Sequence, residues 1–138
     1  MDGKVEECLR RAAERLGALY LVLYGSRARG YAGPHSDYDV AVKLGRRPSL
    51  REMGLVHVEL ERCLPPGSRL DLLVIDYWNP IAAWEALARG RLLYHRGRRG
   101  LSEYHRDLAR AIDEVADLEP LINLFRGERR RAHARARG

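Results

Sequence analysis

The spacing of apolar residues over the first third of the chain predicts one helix followed by two strands. In "KVEECLRRAAERLG", residues 4–17, apolar side chains recur every three or four positions, as on one face of a helix that ends at Gly17. The next segment, "ALYLVLYG", is apolar and rich in strand-forming residues, which predicts a buried strand ending at Gly25. "YDVAVKL" predicts a second strand, and Asp37 and Asp39 share one face because strand side chains alternate.

The middle of the chain continues with a helix, a third strand and another helix. Ser49 and Glu52 form the S-x-x-E pattern of a helix start, and this helix is predicted to run as far as "PPG". "SRLDLLVID", residues 68–76, predicts a strand that carries Asp71 near its start. Asn79-Pro80 then provides an N-cap and a first-turn proline for the next helix.

The last part of the chain predicts a short fourth strand and a final helix. "RLLYH", residues 91–95, is the strand, and the apolar stripe of the helix opens at Ser102 and ends at Pro120. The order is therefore α-β-β-α-β-α-β-α, in which the first two strands pair as neighbours. The sequence predicts an α/β (α+β) fold with a small mixed sheet flanked by helices, in a single domain.

Composition and charge narrow the possible classes of protein. No apolar run approaches the length of about 18 residues that a membrane span requires, and the first residues, "MDGKVEECLRR", are charged where a secretory signal is apolar. We therefore expect a cytoplasmic protein without membrane association. Cys8 and Cys63 lie in helical patterns without metal-ligand spacing, and we expect reduced thiols rather than a disulfide.

The net charge of +6 comes mostly from residues 126–138, "RGERRRAHARARG", in which six arginines face one glutamate. Such a segment can bind RNA or an acidic partner through release of counterions. It can equally be a solvated, flexible end of the chain, and that is the interpretation favoured here. Direct binding of nucleic acid through this tail is not favoured.

The chemistry of the chain is concentrated between Gly25 and Asp71. Gly25 and Ser26 form a turn whose backbone amides can approach a phosphate closely, and Arg27 offers positive charge to the same anion. Asp37 and Asp39 place two negative charges on one strand face, where they repel each other unless a cation lies between them. Asp71 adds a third acid on a nearby apolar strand. Three carboxylates beside a phosphate-binding turn are typical of metal-dependent phosphoryl or nucleotidyl transfer.

These motifs also resemble a known family. "GS" at residues 25 and 26, ten intervening residues, "DYD" at 37–39 and "LDLLV" around Asp71 resemble the nucleotidyltransferase superfamily of the polymerase-β type. Within it, "GSRARG", "SDYDVAV" and the short length are similar to the minimal nucleotidyltransferases, or MNT proteins. The resemblance covers residues 1–95, which predicts a catalytic core there, a C-terminal helix over 96–125 and a basic tail over 126–138.

The resemblance implies a role for each motif residue. Gly25 and Ser26, with Arg27 beside them, would bind the phosphates of ATP. Asp37 and Asp39 would bind two magnesium ions, and Asp71 would complete the second metal site and act as base for the attacking hydroxyl. The implied reaction transfers AMP from ATP to that hydroxyl with release of pyrophosphate.

The resemblance also implies a partner. MNT proteins pair with HEPN proteins, which are helical ribonuclease-like toxins, and act as their antitoxins, in some cases by transferring AMP to a tyrosine of the toxin. We therefore expect a heteromer with a HEPN toxin. Two alternatives remain open: an antitoxin that neutralises its partner by contact alone, and a small-molecule nucleotidyltransferase of the aminoglycoside-modifying kind.

Overall fold

The computed structural model describes residues 3–25 and 37–137, with side chains described as far as Leu121 and at Leu124. Within these residues the elements follow the predicted order. They are α1 (Gly3–Arg15), β1 (Tyr20–Tyr24), β2 (Tyr38–Lys43), α2 (Leu50–Glu61), β3 (Leu70–Val74), α3 (Pro80–Arg89), β4 (Arg91–His95) and α4 (Gly97–Arg137).

The four strands form one mixed sheet in the order β3-β2-β1-β4. β1 pairs with both of its neighbours in the antiparallel direction, whereas β2 and β3 are parallel. A parallel pair needs a long crossover, and α2 provides it between β2 and β3. The fold class predicted from the sequence, an α+β fold with a small mixed sheet, is confirmed.

Helices cover both faces of the sheet because the side chains of β1 alternate between them. Leu21 and Leu23 pack with α1 and α2 on one face, and Tyr20 and Val22 pack with α3 and α4 on the other. All four side chains are buried. The sheet is therefore the middle of three layers, and each strand residue belongs to one of two separate hydrophobic cores.

The helix starts and stops predicted from the sequence are largely as observed. Ser49 accepts a hydrogen bond from the Glu52 amide at 3.1 Å, and Asn79 accepts one from the Ala82 amide at the same distance. Gly17, two residues after the end of α1, has a φ of +70°, as is usual where a helix ends on a glycine.

The final helix differs from its prediction at both ends. It begins at Gly97 rather than Ser102, and it passes through Pro120 to Arg137. Proline removes one hydrogen bond from the helix and crowds the preceding turn. Pro120 is exposed, so water can reach the carbonyl that loses its intrahelical donor, and the helix continues.

The cysteines also differ from their prediction. Cys8 of α1 and Cys63, which follows α2, form a disulfide rather than two reduced thiols. The two helices pack side by side on the same face of the sheet, which brings the two Cα atoms to 5.4 Å, within the range that a disulfide spans. The sequence spacing of 55 residues did not indicate this proximity.

A buried polar cluster ties α4 to the sheet. The Tyr20 hydroxyl donates to the Asp107 carboxylate at 2.8 Å, and the Lys43 ammonium lies 3.1 Å from the same oxygen. Asp107 is only 4% exposed and is the one buried charged residue among those described. Burial and the Asp107 charge hold the pKa of Tyr20 far above its ordinary value, so the phenol stays a hydrogen-bond donor.

No helix in the described part of the chain has both the length and the apolar character needed to cross a membrane.

Candidate active site

Two of the predicted acids lie side by side on adjacent strands. Asp39 of β2 pairs in register with Asp71 of β3, and Tyr24 of β1 pairs with Asp39 on the other side. Residues opposite each other in neighbouring strands point to the same face of a sheet, here the face that carries α3 and α4. The three side chains therefore form a row across three strands, which we call the acidic row: Tyr24, Asp39 and Asp71.

Negative charges in and beside the acidic row are concentrated around Asp39. Burial raises the pKa of Asp39 to about 6, and the charge of Asp71, a hydrogen bond with Asp71 and the charge of Asp37 act in the same direction. Asp37 directly precedes β2 and is exposed. The structure therefore places Asp39 beside Asp71, with Asp37 near enough for its charge to act on Asp39.

Gly25 lies directly against Asp39. Its φ is +72°, a backbone conformation that favours glycine. A Cβ atom at this position would lie only 2.1 Å from Oδ2 of Asp39, far inside ordinary contact distance. Gly25 thus gives room to the Asp39 carboxylate, a reason for a glycine here that the sequence did not indicate. Ser26 and Arg27, the other predicted phosphate-binding residues, lie outside the described residues.

The oxygen donors of the acidic row fit a hard divalent cation. Asp39 is hydrogen-bonded to Asp71, and the charge of Asp71 makes ionisation of Asp39 more costly, a cost that a magnesium ion between them would relieve. Among the described residues no three His, Cys, Asp or Glu side chains form a preassembled metal site. Magnesium commonly takes only one or two protein carboxylates and completes its shell with substrate phosphates and water.

Sequence reasoning missed Tyr24 as part of the site. Burial and the charges of Asp39, Asp71 and Glu85 raise the pKa of Tyr24 to about 12, so its hydroxyl remains protonated beside the acids. Gly90, at the end of α3, packs so closely that a Cβ there would lie 2.8 Å from the Cβ of Tyr24. The alternation of β1 side chains could have placed Tyr24 on the acid-bearing face once the strand pairing was known.

Asp76, the other acid near the end of the third strand, is occupied elsewhere. Its two carboxylate oxygens accept hydrogen bonds from the backbone amides of Leu44 and Gly45, each at 2.8 Å. This contact joins the segment after β3 to the segment after β2, at the end of the sheet away from Asp39. Asp76 therefore serves the turn and does not belong to the acidic row.

The sequence as a whole matches a known family. The family model described as polymerase beta, nucleotidyltransferase, matches residues 6–99, which include the acidic row and Gly25. The chain belongs to this nucleotidyltransferase family. The matched segment spans more than half of the nucleotidyltransferase and leaves most of α4 outside.

Solved structures of low sequence identity share the fold. A chain from a toxin–antitoxin structure with AMP-PNP has a TM-score of 0.70 and 15% identity, and the match covers 86% of the nucleotidyltransferase and 95% of that chain. A chain from a complex of a tri-AMPylated Shewanella oneidensis HEPN toxin with an MNT antitoxin has a TM-score of 0.64 and 14% identity. This match covers 86% of the nucleotidyltransferase and 93% of that chain. At these identities the likeness shows the fold alone. No curated protein matches the nucleotidyltransferase in sequence.

Proposed function

We propose that this nucleotidyltransferase transfers AMP from ATP to a hydroxyl group, and that the acceptor is a tyrosine of a HEPN toxin for which the protein is the antitoxin. The observation that carries the proposal is the acidic row, in which Asp39 and Asp71 of neighbouring strands share a hydrogen bond and the charge of Asp71 helps to raise the pKa of Asp39. Such a pair is costly unless a cation neutralises it, and the family of the chain performs nucleotidyl transfer.

Each residue of the site has a distinct role in this reaction. Asp37, Asp39 and Asp71 would hold two magnesium ions, which when bound neutralise the triphosphate and make the attacking hydroxyl more acidic. Asp71 takes the proton of that hydroxyl. The hydroxyl oxygen then forms a bond to the α-phosphorus as the bond to the β-phosphate breaks and pyrophosphate leaves. Gly25, Ser26 and Arg27 bind the β- and γ-phosphates.

Structural neighbours support the choice of partner. The neighbours of the fold include toxin–antitoxin structures, one with AMP-PNP and one with an AMPylated HEPN toxin. The four strands and helices α1 to α3 are taken up by the catalytic core, so a second protein would supply most of the acceptor surface. The proposal also includes a cytoplasmic location and a catalytic core over residues 1–95, followed by a C-terminal helix that carries the basic segment 126–138. Binding of nucleic acid by this basic segment is expected to be weak or absent.

The decisive experiment measures the intact mass of the partner. The protein is incubated with ATP, magnesium and the product of the neighbouring gene, and the same mixture is prepared with Asp37→Asn/Asp39→Asn. The exposed acids Asp113 and Asp117 of α4 provide a control double variant, Asp113→Asn/Asp117→Asn, with the same change in net charge. We expect the partner to gain one or more AMP units with the wild-type and control proteins and none with the site variant.

The other outcomes select the alternatives. A stable complex whose partner gains no mass with any variant would favour an antitoxin that acts by contact alone. Transfer of AMP to an aminoglycoside, without any modification of the partner, would favour a small-molecule nucleotidyltransferase. Equal mass gain with the site variant and the control would contradict the assignment of Asp37 and Asp39.

A further inference from the structure

A cleft lies at the end of the sheet opposite the acidic row. β1 begins there at Tyr20, which pairs with Lys43 at the end of β2 and with His95 at the end of β4. The Leu19 amide donates to the Lys43 carbonyl, and the Arg96 amide donates to the Leu19 carbonyl, each at 2.8 Å. These bonds bring together the segment after β2 and the segment after β4, which enclose a cleft of about 280 Å³.

The charged residues of this cleft are mostly basic. Four of the six are Lys43, Arg46, Arg47 and Arg99, and the two acids are Asp76 and Glu103. We call it the arginine cleft. Its three arginines come from "LGRRPS" and "RGRRG", two segments that are separated in sequence and that the function proposed above does not use.

Most charges in the arginine cleft already have partners. Lys43 pairs with Asp107 at 3.1 Å, and Arg46 pairs with Glu52. Asp76 directs both carboxylate oxygens to backbone amides rather than to a cation.

Arg47 and Arg99 are different from the other basic residues of the cleft. Within the described part of the chain neither has a carboxylate within ion-pair distance, whereas Glu103 lies 3.7 Å from Arg106 on its own helix. The Arg47 guanidinium lies 5.8 Å from the centre of the Tyr77 ring, a contact that orients it without neutralising its charge. Two guanidinium groups that line one cleft, from the segment after β2 and the segment after β4, thus have no carboxylate partner among the described residues.

We propose that the arginine cleft binds a phosphate group through Arg47 and Arg99. Guanidinium groups donate paired hydrogen bonds that match the oxygens of a phosphate. The cleft is slightly smaller than the roughly 300–1,000 Å³ that encloses a small molecule, so it accommodates a phosphate group and leaves the rest of the ligand outside. Lys43 and Asp39 are four strand residues apart, about 13 Å, which separates this site from the catalytic phosphates.

Binding is tested with inorganic phosphate on the full chain carrying Asp39→Asn, which weakens metal binding at the catalytic site and therefore the binding of phosphate through a metal there. Phosphate is titrated by calorimetry without magnesium, and sodium chloride at equal ionic strength gives the reference. The variant Arg47→Gln/Arg99→Gln is compared with Arg51→Gln/Arg98→Gln, two exposed arginines that do not line the cleft and that carry the same change in net charge.

We expect the cleft variant to bind phosphate at least fivefold more weakly, and the control variant to bind within twofold of its parent. Equal weakening in both variants, or the same heat from chloride as from phosphate, would overturn the proposal. The source of the phosphate is then assigned by competition. If AMP displaces the bound inorganic phosphate more strongly, the ligand is a free nucleotide. If a short single-stranded RNA displaces it more strongly, compared per phosphate group, the ligand is a nucleic-acid backbone. The phosphate titration does not depend on the outcome of the AMP-transfer experiment, because the titration uses an Asp39→Asn protein that is impaired in catalysis.

Discussion

Replacement of Gly25 by alanine tests whether the space beside Asp39 is what the site requires of this glycine. A Cβ atom would lie 2.1 Å from Oδ2 of Asp39, where ordinary contact begins at 3.4 Å, so the carboxylate must move by more than about 1 Å. Displacement of a catalytic group by about 1 Å lowers activity by about 100-fold. We therefore expect Gly25→Ala to lose about two orders of magnitude in AMP transfer and to bind Mn²⁺ more weakly.

Gly17 provides a matched control for this variant. Its φ of +70° is almost the same as the +72° of Gly25, but no atom lies within 4 Å of the position of its Cβ. Alanine costs about 1–2 kcal/mol at either position because its side chain disfavours a positive φ. Gly17→Ala therefore measures the backbone cost alone, and we expect it to lose stability while its transfer rate stays within about twofold of wild type.

Three measurements decide the result: the free energy of unfolding in urea, the affinity for Mn²⁺ by calorimetry, and the rate of AMP transfer. If Gly25→Ala and Gly17→Ala lose the same stability and keep the same metal affinity and transfer rate, the contact with Asp39 has no functional consequence.

Three further predictions concern stability. The pKa of Asp39 is raised to about 6 from 3.8, so the folded protein binds more protons than the unfolded chain between about pH 4 and pH 6. The free energy of unfolding, measured in urea without magnesium, should therefore fall as the pH rises through this window. The free energy of unfolding should fall by about 1 kcal/mol, since solvent screens this partly exposed carboxyl. Asp39→Asn should abolish this pH dependence. Asp107→Ala should lose about 3–5 kcal/mol in urea because Lys43 and Tyr20 are left unpaired, and a loss below about 1 kcal/mol would contradict a buried ion pair. Cys8→Ser should lose about 2–4 kcal/mol without reductant, and the difference from wild type should disappear in dithiothreitol if the disulfide is its cause.

The order of elements could be predicted from the sequence because each element has a clear local signal. The period of α1, the caps at Ser49 and Asn79 and the short apolar strands all depend on residues close in the chain. The nearness of Asp39 and Asp71 was expected from motif resemblance. The sequence could not predict their exact register, since a shift of one residue between β2 and β3 would move Asp71 to the opposite face.

The features that sequence reasoning missed depend on packing between distant segments. The disulfide requires α1 and α2 to lie side by side, and the place of Tyr24 in the acidic row requires the register of β1 on β2. The start of α4 was predicted too late because Gly97 and Gly100 resemble loop residues. Its continuation past Pro120 was missed because a proline in an exposed turn weakens a helix without ending it.

The cluster of Tyr20, Asp107 and Lys43 determines how α4 can move. A rotation of the helix by one residue turns the Asp107 side chain by 100°, away from both partners, and a slide along its axis separates them as well. The cluster therefore fixes the rotation and the position of α4 on the sheet near Asp107. A protein that binds α4 would thereby bind a helix that is fixed to β1, the strand that leads directly into Gly25.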